Sequence, residues 1–183
     1  MRCTVPPAGR AAEAAAACRA PVPVLVTERL RLRAPAMDDL PLWTEIFAAA
    51  PFDAAPDRAW AEFATYAAGW MLHGHGLWSV EARDTRTLLG FVLLGLEWGD
   101  AEPEIGWMFA PAHRGRGYAT EAAAAVRDHA LRLMSDGGAV SYVAADNRPS
   151  RRVAERIGAW RDTSAEAALA DPGTEVWRHG ARP

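Results

Sequence analysis

The sequence contains no lysine: all 20 basic residues are arginine, set against 23 Asp plus Glu for a formal net charge of -3. That mildly acidic balance offers no overall attraction to a nucleic acid or a membrane surface, so neither is expected as a partner, while local arginine patches stay compatible with a small anion. Cysteine is almost missing too. Cys3 and Cys18 both lie in the first 20 residues without neighbours at metal-ligand spacing, so neither a disulfide framework nor a bound metal is expected, and a reducing cytoplasm fits. No run of about 18 apolar residues occurs, so no membrane-spanning helix is expected.

What is present is ordinary globular composition: 183 residues, half of them hydrophobic and 23% charged, enough for one domain with a sizeable core. Residues 1–24 differ from the rest. They are rich in Ala and Pro, with Ala11 to Ala17 broken only by Glu13, and carry no Leu, Ile or Phe to anchor them. They are expected to form a disordered tail ahead of a single domain over 25–183. Arg2 could open a secretory leader, but Glu13 interrupts its central segment, which favours the tail.

From Thr27 the pattern sharpens. Leu30 and Leu32 alternate with Arg29, Arg31 and Arg33 at the period of a half-buried strand, closed by Ala34-Pro35. Asp38 or Asp39 can cap a helix whose Leu42, Trp43, Ile46 and Phe47 share one face, with Pro51 as its bound, and a second helix covers Arg58 to Trp70. Strands follow at Leu77 to Arg83, Leu88 to Leu96 and Glu102 to Ala110, the last placing Glu102, Glu104, Gly106 and Met108 on one side. The period then changes. Ala119, Ala122, Ala123, Val126, Ala130 and Leu133 make one helical stripe that stops before Ser135-Asp136-Gly137-Gly138. Ala139 to Ala145 is again a strand, Pro149 to Ile157 a helix stopped by Gly158, and short strands end the chain near Ala159 to Arg161 and Thr174 to His179. This order predicts an α+β, or mixed α/β, domain with a central, largely antiparallel sheet flanked by helices.

The most informative chemistry lies at Pro111-Ala-His-Arg-Gly-Arg-Gly-Tyr-Ala-Thr-Glu121, where a strand hands over to a helix. Gly115 and Gly117 let backbone N–H groups approach a ligand closely, the helix adds positive potential at its N-terminus, and Arg114 and Arg116 supply charged donors. Together they can seat a pyrophosphate. The same residues would also make a glycine turn with solvated arginines, since short glycine motifs are weak signals. A Walker loop is excluded because it requires lysine, and a dinucleotide fingerprint is disfavoured because Thr120 stands where a third small residue is wanted.

At this point the sequence resembles the GNAT acetyltransferase superfamily, and within it the ribosomal-protein-alanine N-acetyltransferase-like branch. Arg114, Gly117 and Ala119 meet the superfamily's Arg/Gln-x-x-Gly-x-Gly/Ala loop. The similarity extends to Thr-Glu-Arg-Leu-Arg-Leu-Arg from Thr27, Glu-Ile-Gly-Trp from Glu104, Gly-Tyr-Ala-Thr-Glu-Ala from Gly117, Asn-x-x-Ser from Asn147 and Val-Trp-Arg-His from Val176. The resemblance implies the GNAT fold and acetyl-CoA as co-substrate, with the pantetheine arm lying as a pseudo-strand between the strands Glu102 to Ala110 and Ala139 to Ala145. Main-chain groups of Met108 and Ala110 would pair with the arm, and Arg114, Gly115, Arg116, Gly117, Tyr118, Ala119 and Thr120 would hold the pyrophosphate.

The implied reaction is acetyl transfer from a thioester to a primary amine, either a protein N-terminal α-amine or a small-molecule amine. Such an amine must lose a proton before it attacks, so a base is wanted, and Glu104 is the candidate because Gly106 beside it leaves room for substrate. Glu102, Glu97 and Asp100 are weaker substitutes. Many superfamily members protonate the leaving thiolate with a Tyr, but Ala154 stands at that place, seven residues after Asn147. Ser150 is the nearest polar substitute and is expected to touch the sulfur or the arm, with Asn147 binding the arm; both could instead only cap a helix. Arg148, Arg151, Arg152 and Arg156 are read as a mainly solvated face, and His73 and His75 as loop residues without a third metal ligand. The missing Tyr keeps a second function open, a non-catalytic acyl-CoA-binding module for sensing or assembly. The acceptor and a homodimer are both left undecided by the sequence.

Overall fold

The computed structural model describes residues 2–49, 55–134, 138–169 and 171–181. Among them, one mixed sheet of eight strands runs in the order β1-β2-β3-β4-β5-β6-β8-β7. Strands β1 (Leu25–Val26), β2 (Leu30–Arg33), β3 (Leu77–Ala82), β4 (Leu88–Gly95) and β5 (Glu104–Phe109) form a continuous antiparallel meander. On its far side β6 (Ala139–Ala144), β8 (Thr174–His179) and β7 (Trp160–Arg161) are likewise antiparallel. The two halves meet at β5 and β6, the one parallel pairing among the described residues.

Each face of the meander is covered by helices, which explains the apolar run of β4: a strand buried on both sides need not alternate. Helix α4 (Tyr118–Leu133) lies on one face. Its Ala122, Val126 and Ala130 pack with Ile105 and Phe109 of β5, small alanines letting the helix approach the sheet closely. On the other face α2 (Leu40–Ala48) and α3 (Pro56–Leu72) cover Leu77, Phe91, Leu93 and Met108. Trp43 is the centre of that layer, its ring meeting Phe47, Phe63, Tyr66 and Phe91, so this tryptophan is core packing. Helix α5 (Arg148–Arg156) follows β6, and Ala154 packs there with Val143 and Trp177.

Residues 2–24 contain a 3-10 turn (Arg2–Thr4) and helix α1 (Arg10–Arg19), which has no buried residue. Its run of alanines has high helix propensity but nothing apolar to dock, so it forms a helix without joining the core. Cys3 and Cys18 are both exposed and unpaired. The core begins at Val22, and Pro23 O accepts a 2.8 Å bond from Trp78 Nε1. A short helix α6 (Thr163–Glu166), capped by Asp162, was not evident from periodicity because four residues are too few to display one. The Pro51 helix bound and the Ser135-Asp136-Gly137 stop lie outside the described residues.

Asp39 differs from expectation. It immediately precedes α2, but its side chain caps no amide of that helix. It accepts from Arg33 Nη1 and Nη2 at 2.7 Å, from Ser79 Oγ at 2.7 Å and from Ala36 N at 2.8 Å. Arg33 also donates to Glu81 at 2.5 Å. These carboxylates hold the Arg33 guanidinium above its ordinary pKa, Asp39 contributing most. A half-buried cation beside a buried carboxylate is better served by a bidentate pair than a helix start is by a cap, so the pair wins. Removing one partner strands the other charge: Asp39→Ala should lower unfolding free energy by about 3 kcal/mol, read from urea melts, whereas the exposed Asp38→Ala should change it by less than about 0.5 kcal/mol.

Candidate active site

The site is built where β5 and β6 part. Glu104 pairs with Val140, Val140 N donates to Pro103 O at 2.9 Å, and no further β5–β6 pair forms. Beyond that bridge the two strands diverge as a fork. One arm of it is β5, whose register on β4 decides which groups face the opening. Ala110 N donates to Leu89 O at 3.2 Å, and a Cβ on Gly90 would come within 2.3 Å of Met108 O, so even-numbered residues of β5 turn their main chain toward β4. Gly90 is required by that close approach. The main-chain groups of Ile105, Trp107 and Phe109 therefore face the fork. This corrects the pairing expected of Met108 and Ala110: Met108 faces β4, and Ala110 spends its N–H on Leu89 and its carbonyl on His113 N at 2.9 Å.

Side chains alternate the other way. Glu104, Gly106 and Met108 look toward the α2–α3 layer, as the sequence alternation requires. Glu104 is half-buried at the crotch of the fork, and Tyr142 N approaches its Oε1 at 3.4 Å. Burial pushes the Glu104 carboxyl up to about 8; the Glu97 and Asp100 carboxylates add to the rise, and the Tyr142 N–H opposes it. The substitutes fare worse. Glu102 is locked to Arg178 at 2.5 and 2.8 Å, which holds it below the ordinary carboxylate range despite its partial burial. Glu97 is exposed and accepts a short bond from Tyr66 OH, and Asp100 accepts from Glu97 N at 2.7 Å.

At the other end of β5 a 3-10 turn (Pro111–His113) leads through Arg114 to Gly117, the first cap of α4. Gly115 and Gly117 both hold positive φ, 75° and 81°, conformations that side chains disfavour. No side chain caps α4, so the amides of its first turn point outward unclaimed by a cap, and Gly115, Arg116 and Gly117 are exposed. Such an end favours an anion by about 0.3 to 1 kcal/mol, to which several N–H donors add. Tyr118, Ala119 and Thr120 form that first turn and are half-buried. Arg114 bends back, donating Nε to Phe109 O at 2.8 Å.

Three residues to which local sequence assigns no role, Thr27, Arg29 and Glu121, brace this loop. Arg29 donates to Arg116 O at 3.0 Å, pairs with Glu121 at 2.7 Å and lies 4.8 Å over the Tyr118 ring. Thr27 Oγ1 donates to the same Glu121 at 2.5 Å. Spacing could not reveal them, because Thr27 and Arg29 meet Glu121 across more than ninety residues of chain.

Asn147 caps α5, its Oδ1 accepting from Ser150 N at 3.2 Å. Ser150 is half-buried in the first turn of α5, after the end of β6 and so on the far arm of the fork from Glu104. Ala154 is 0% exposed, so its position belongs to the core. Arg151 pairs with Glu175 at 3.1 Å, while Arg148, Arg152 and Arg156 are exposed. A small cavity of about 60 Å³ opens near Glu104's layer between α3 and the end of β4, lined by Tyr66, Gly69, His75, Leu93 and Gly95. His75 is buried there with Nδ1 2.7 Å from Leu94 O, and burial lowers its pKa.

Comparison with known proteins agrees with this architecture. A family model described as an acetyltransferase (GNAT) domain matches residues 29–159. An acetyltransferase from Agrobacterium tumefaciens superimposes with a TM-score of 0.79 at 36% identity, covering 87% of this chain and 95% of that one. RimL, a ribosomal α-N-protein acetyltransferase solved with coenzyme A, superimposes with a TM-score of 0.66 over 85% of this chain and 96% of its own, but at 16% identity it shares the fold alone. An uncharacterized N-acetyltransferase of Bacillus subtilis, YnaD, is 32% identical over 52% of this chain and 55% of its own. The chain spans about half the length of the curated relatives it matches.

The perturbed carboxyl has a measurable consequence for stability. Between the ordinary value of 4.5 and the folded value of about 8, the folded protein keeps a proton on Glu104 that the unfolded chain has released, so this group's contribution destabilises progressively as pH rises through that window. Glu104→Gln should match the parent in thermal melts below about pH 4.5, gain on it steadily as pH rises, and stop gaining above about pH 8.

Proposed function

The chain belongs to the GNAT acetyltransferase family, and from that premise we propose that it transfers the acetyl group of acetyl-CoA to the nitrogen of a primary amine, a protein N-terminal α-amine or a small-molecule amine. The observation that carries this function is Glu104: a carboxyl at the crotch of an open fork, raised to about 8, on the strand whose other end leads to an uncapped helix start. The transferase domain is assigned to 25–183, with residues 1–24 preceding it and, among the described residues, only Val22 and Pro23 of them packed on its core, and the ribosomal-protein-acetyltransferase-like branch is part of the proposal.

The residues suit the group they would hold. The first-turn amides of α4, with Gly115, Arg116, Gly117, Tyr118, Ala119 and Thr120, would take the pyrophosphate, and Arg114 would add charge once released from Phe109 O. Trp107 and Phe109, whose main-chain groups face the fork, would pair with the pantetheine arm in place of Met108 and Ala110. Asn147 and Ser150 would border the arm from α5. When bound, acetyl-CoA supplies the acyl carbon and a thiol leaving group.

The acceptor enters from the α2–α3 side. An α-amine has an ordinary pKa near 7.7 to 8.0 and arrives mostly as a cation, which Glu97 and Asp100 attract. Glu104, matched to it within about a unit, takes the proton, and the freed nitrogen attacks the acyl carbon. The C–N bond forms, the nitrogen sheds its second proton as the C–S bond breaks, and that proton would reach the leaving sulfur through Ser150 or water. Ala154 offers no hydroxyl, which favours the second function, a non-catalytic acyl-CoA-binding module, in one respect only.

Thiol release separates the two. Incubation with acetyl-CoA and amines, including peptides beginning with Ala, Ser or Thr, should liberate free thiol in proportion to amine; coenzyme A binding without amine-dependent release would support the module. Gly117→Asp, which forces a side chain into positive φ and adds negative charge at the seat, should weaken coenzyme A binding at least about tenfold by calorimetry while the fold persists. Glu104→Gln should lower kcat by ~100-fold or more with little change in coenzyme A affinity, and the parent's rate should climb with pH to a plateau above about 8.

A further inference from the structure

A parallel ladder that continued past the Glu104–Val140 bridge would next join Tyr142 N–H to Ile105 C=O, two residues on along each strand. Neither group takes that partner. Ile105 O accepts instead from Ser141 Oγ at 2.5 Å, and Tyr142 N turns to the Glu104 carboxyl at 3.4 Å. Both halves of one rung are intercepted by side chains. Satisfying each group elsewhere removes the drive to close the sheet, because an unpaired buried carbonyl would cost about 1–3 kcal/mol and pull the strands together.

Ser141 does not act alone. Its oxygen lies 2.8 Å from His179 Nε2, and both residues are buried. The single hydroxyl proton is committed to Ile105 O, since two acceptor oxygens at 2.5 Å would repel, so Nε2 must carry the proton that reaches Ser141 Oγ. Burial, with Arg127 nearby, pushes His179 down to about 4, and the ring is neutral over the working range. His179 thus orients the hydroxyl as an outward donor.

We propose that Ser141, oriented by His179, is a positioning residue that holds the β5–β6 fork open for the arm of acetyl-CoA. This rests on the acetyl-CoA function proposed above, and it concerns the arm only: the pyrophosphate loop lies at the other end of β5.

The test titrates parent, Ser141→Ala and Ser141→Thr with coenzyme A and, separately, with its adenosine bisphosphate half, which lacks the arm. Ser141→Ala frees Ile105 O for Tyr142 N–H, so coenzyme A affinity should fall about fivefold to tenfold while the half-molecule binds within about twofold of parent. Ser141→Thr keeps the hydroxyl and should restore coenzyme A binding. Amide hydrogen exchange at Tyr142 should slow in Ser141→Ala as the rung forms. Unchanged coenzyme A affinity in Ser141→Ala, or equal loss of both ligands, would overturn the assignment. Failure of the parent to bind coenzyme A would sink the acetyl-CoA function instead, while the Tyr142 exchange rate, which needs no ligand, would still decide whether Ser141 keeps the fork open.

Discussion

Main-chain donors and acceptors inside a sheet must find partners, and between β5 and β6 they find side chains. A ladder that ran on would have consumed the inner-facing groups of Ile105, Trp107 and Phe109 and closed the sheet into a featureless layer. Because Ser141 and Glu104 take over one rung, the strands separate and the β5 groups further along are left facing an opening. The meander on one side and the β6–β8–β7 unit on the other are each internally antiparallel and well paired, so the break costs the rest of the sheet little.

The same crotch sets the chemistry. Glu104 sits there because the alternation of β5 puts it on the α2–α3 face, while Ile105 and Phe109 on the opposite face anchor α4. One strand therefore ties the candidate base to the helix whose start would hold an anion. Burial raises the carboxyl into the range of the amine it would deprotonate, and nearby Glu97 and Asp100 reinforce the shift. Glu102, two residues away on the same side, is excluded by Arg178, whose two bonds hold it ionised. Environment, more than residue type, separates these carboxylates.

The loop at the far end of β5 depends on distant support. Arg29 reaches from the start of β2 to the Arg116 carbonyl, the Tyr118 ring and Glu121, and Thr27 shares Glu121. A glycine turn without such bracing would sample many conformations, and its amides would not converge. The segment from Thr27 to Arg33 thereby does two jobs: Leu30 and Leu32 fill the core, and the flanking Arg29 and Arg33 tie the loop and the start of α2 to the sheet.

Periodicity and local chemistry by themselves determined the order of strands and helices from β2 onward apart from α6, the glycine-arginine turn before α4, the shared face of Glu104, Gly106 and Met108, and Asn147 at a helix start. All of these depend on residues within a few positions of one another. Where a group's partner lies far along the chain, the sequence was silent or misleading: Met108 and Ala110 looked available until the β4 register turned their main chain away, and Asp39 looked like a cap until Ser79 of β3, together with the nearer Arg33, claimed it. Ser141 and His179 carried no signal, since a serine and a histidine in strands acquire meaning only from the carbonyl they face. Tertiary structure alone decided which rung of the ladder fails, because hydrogen-bond partners across a sheet are set by register, and register is a property of two strands at once.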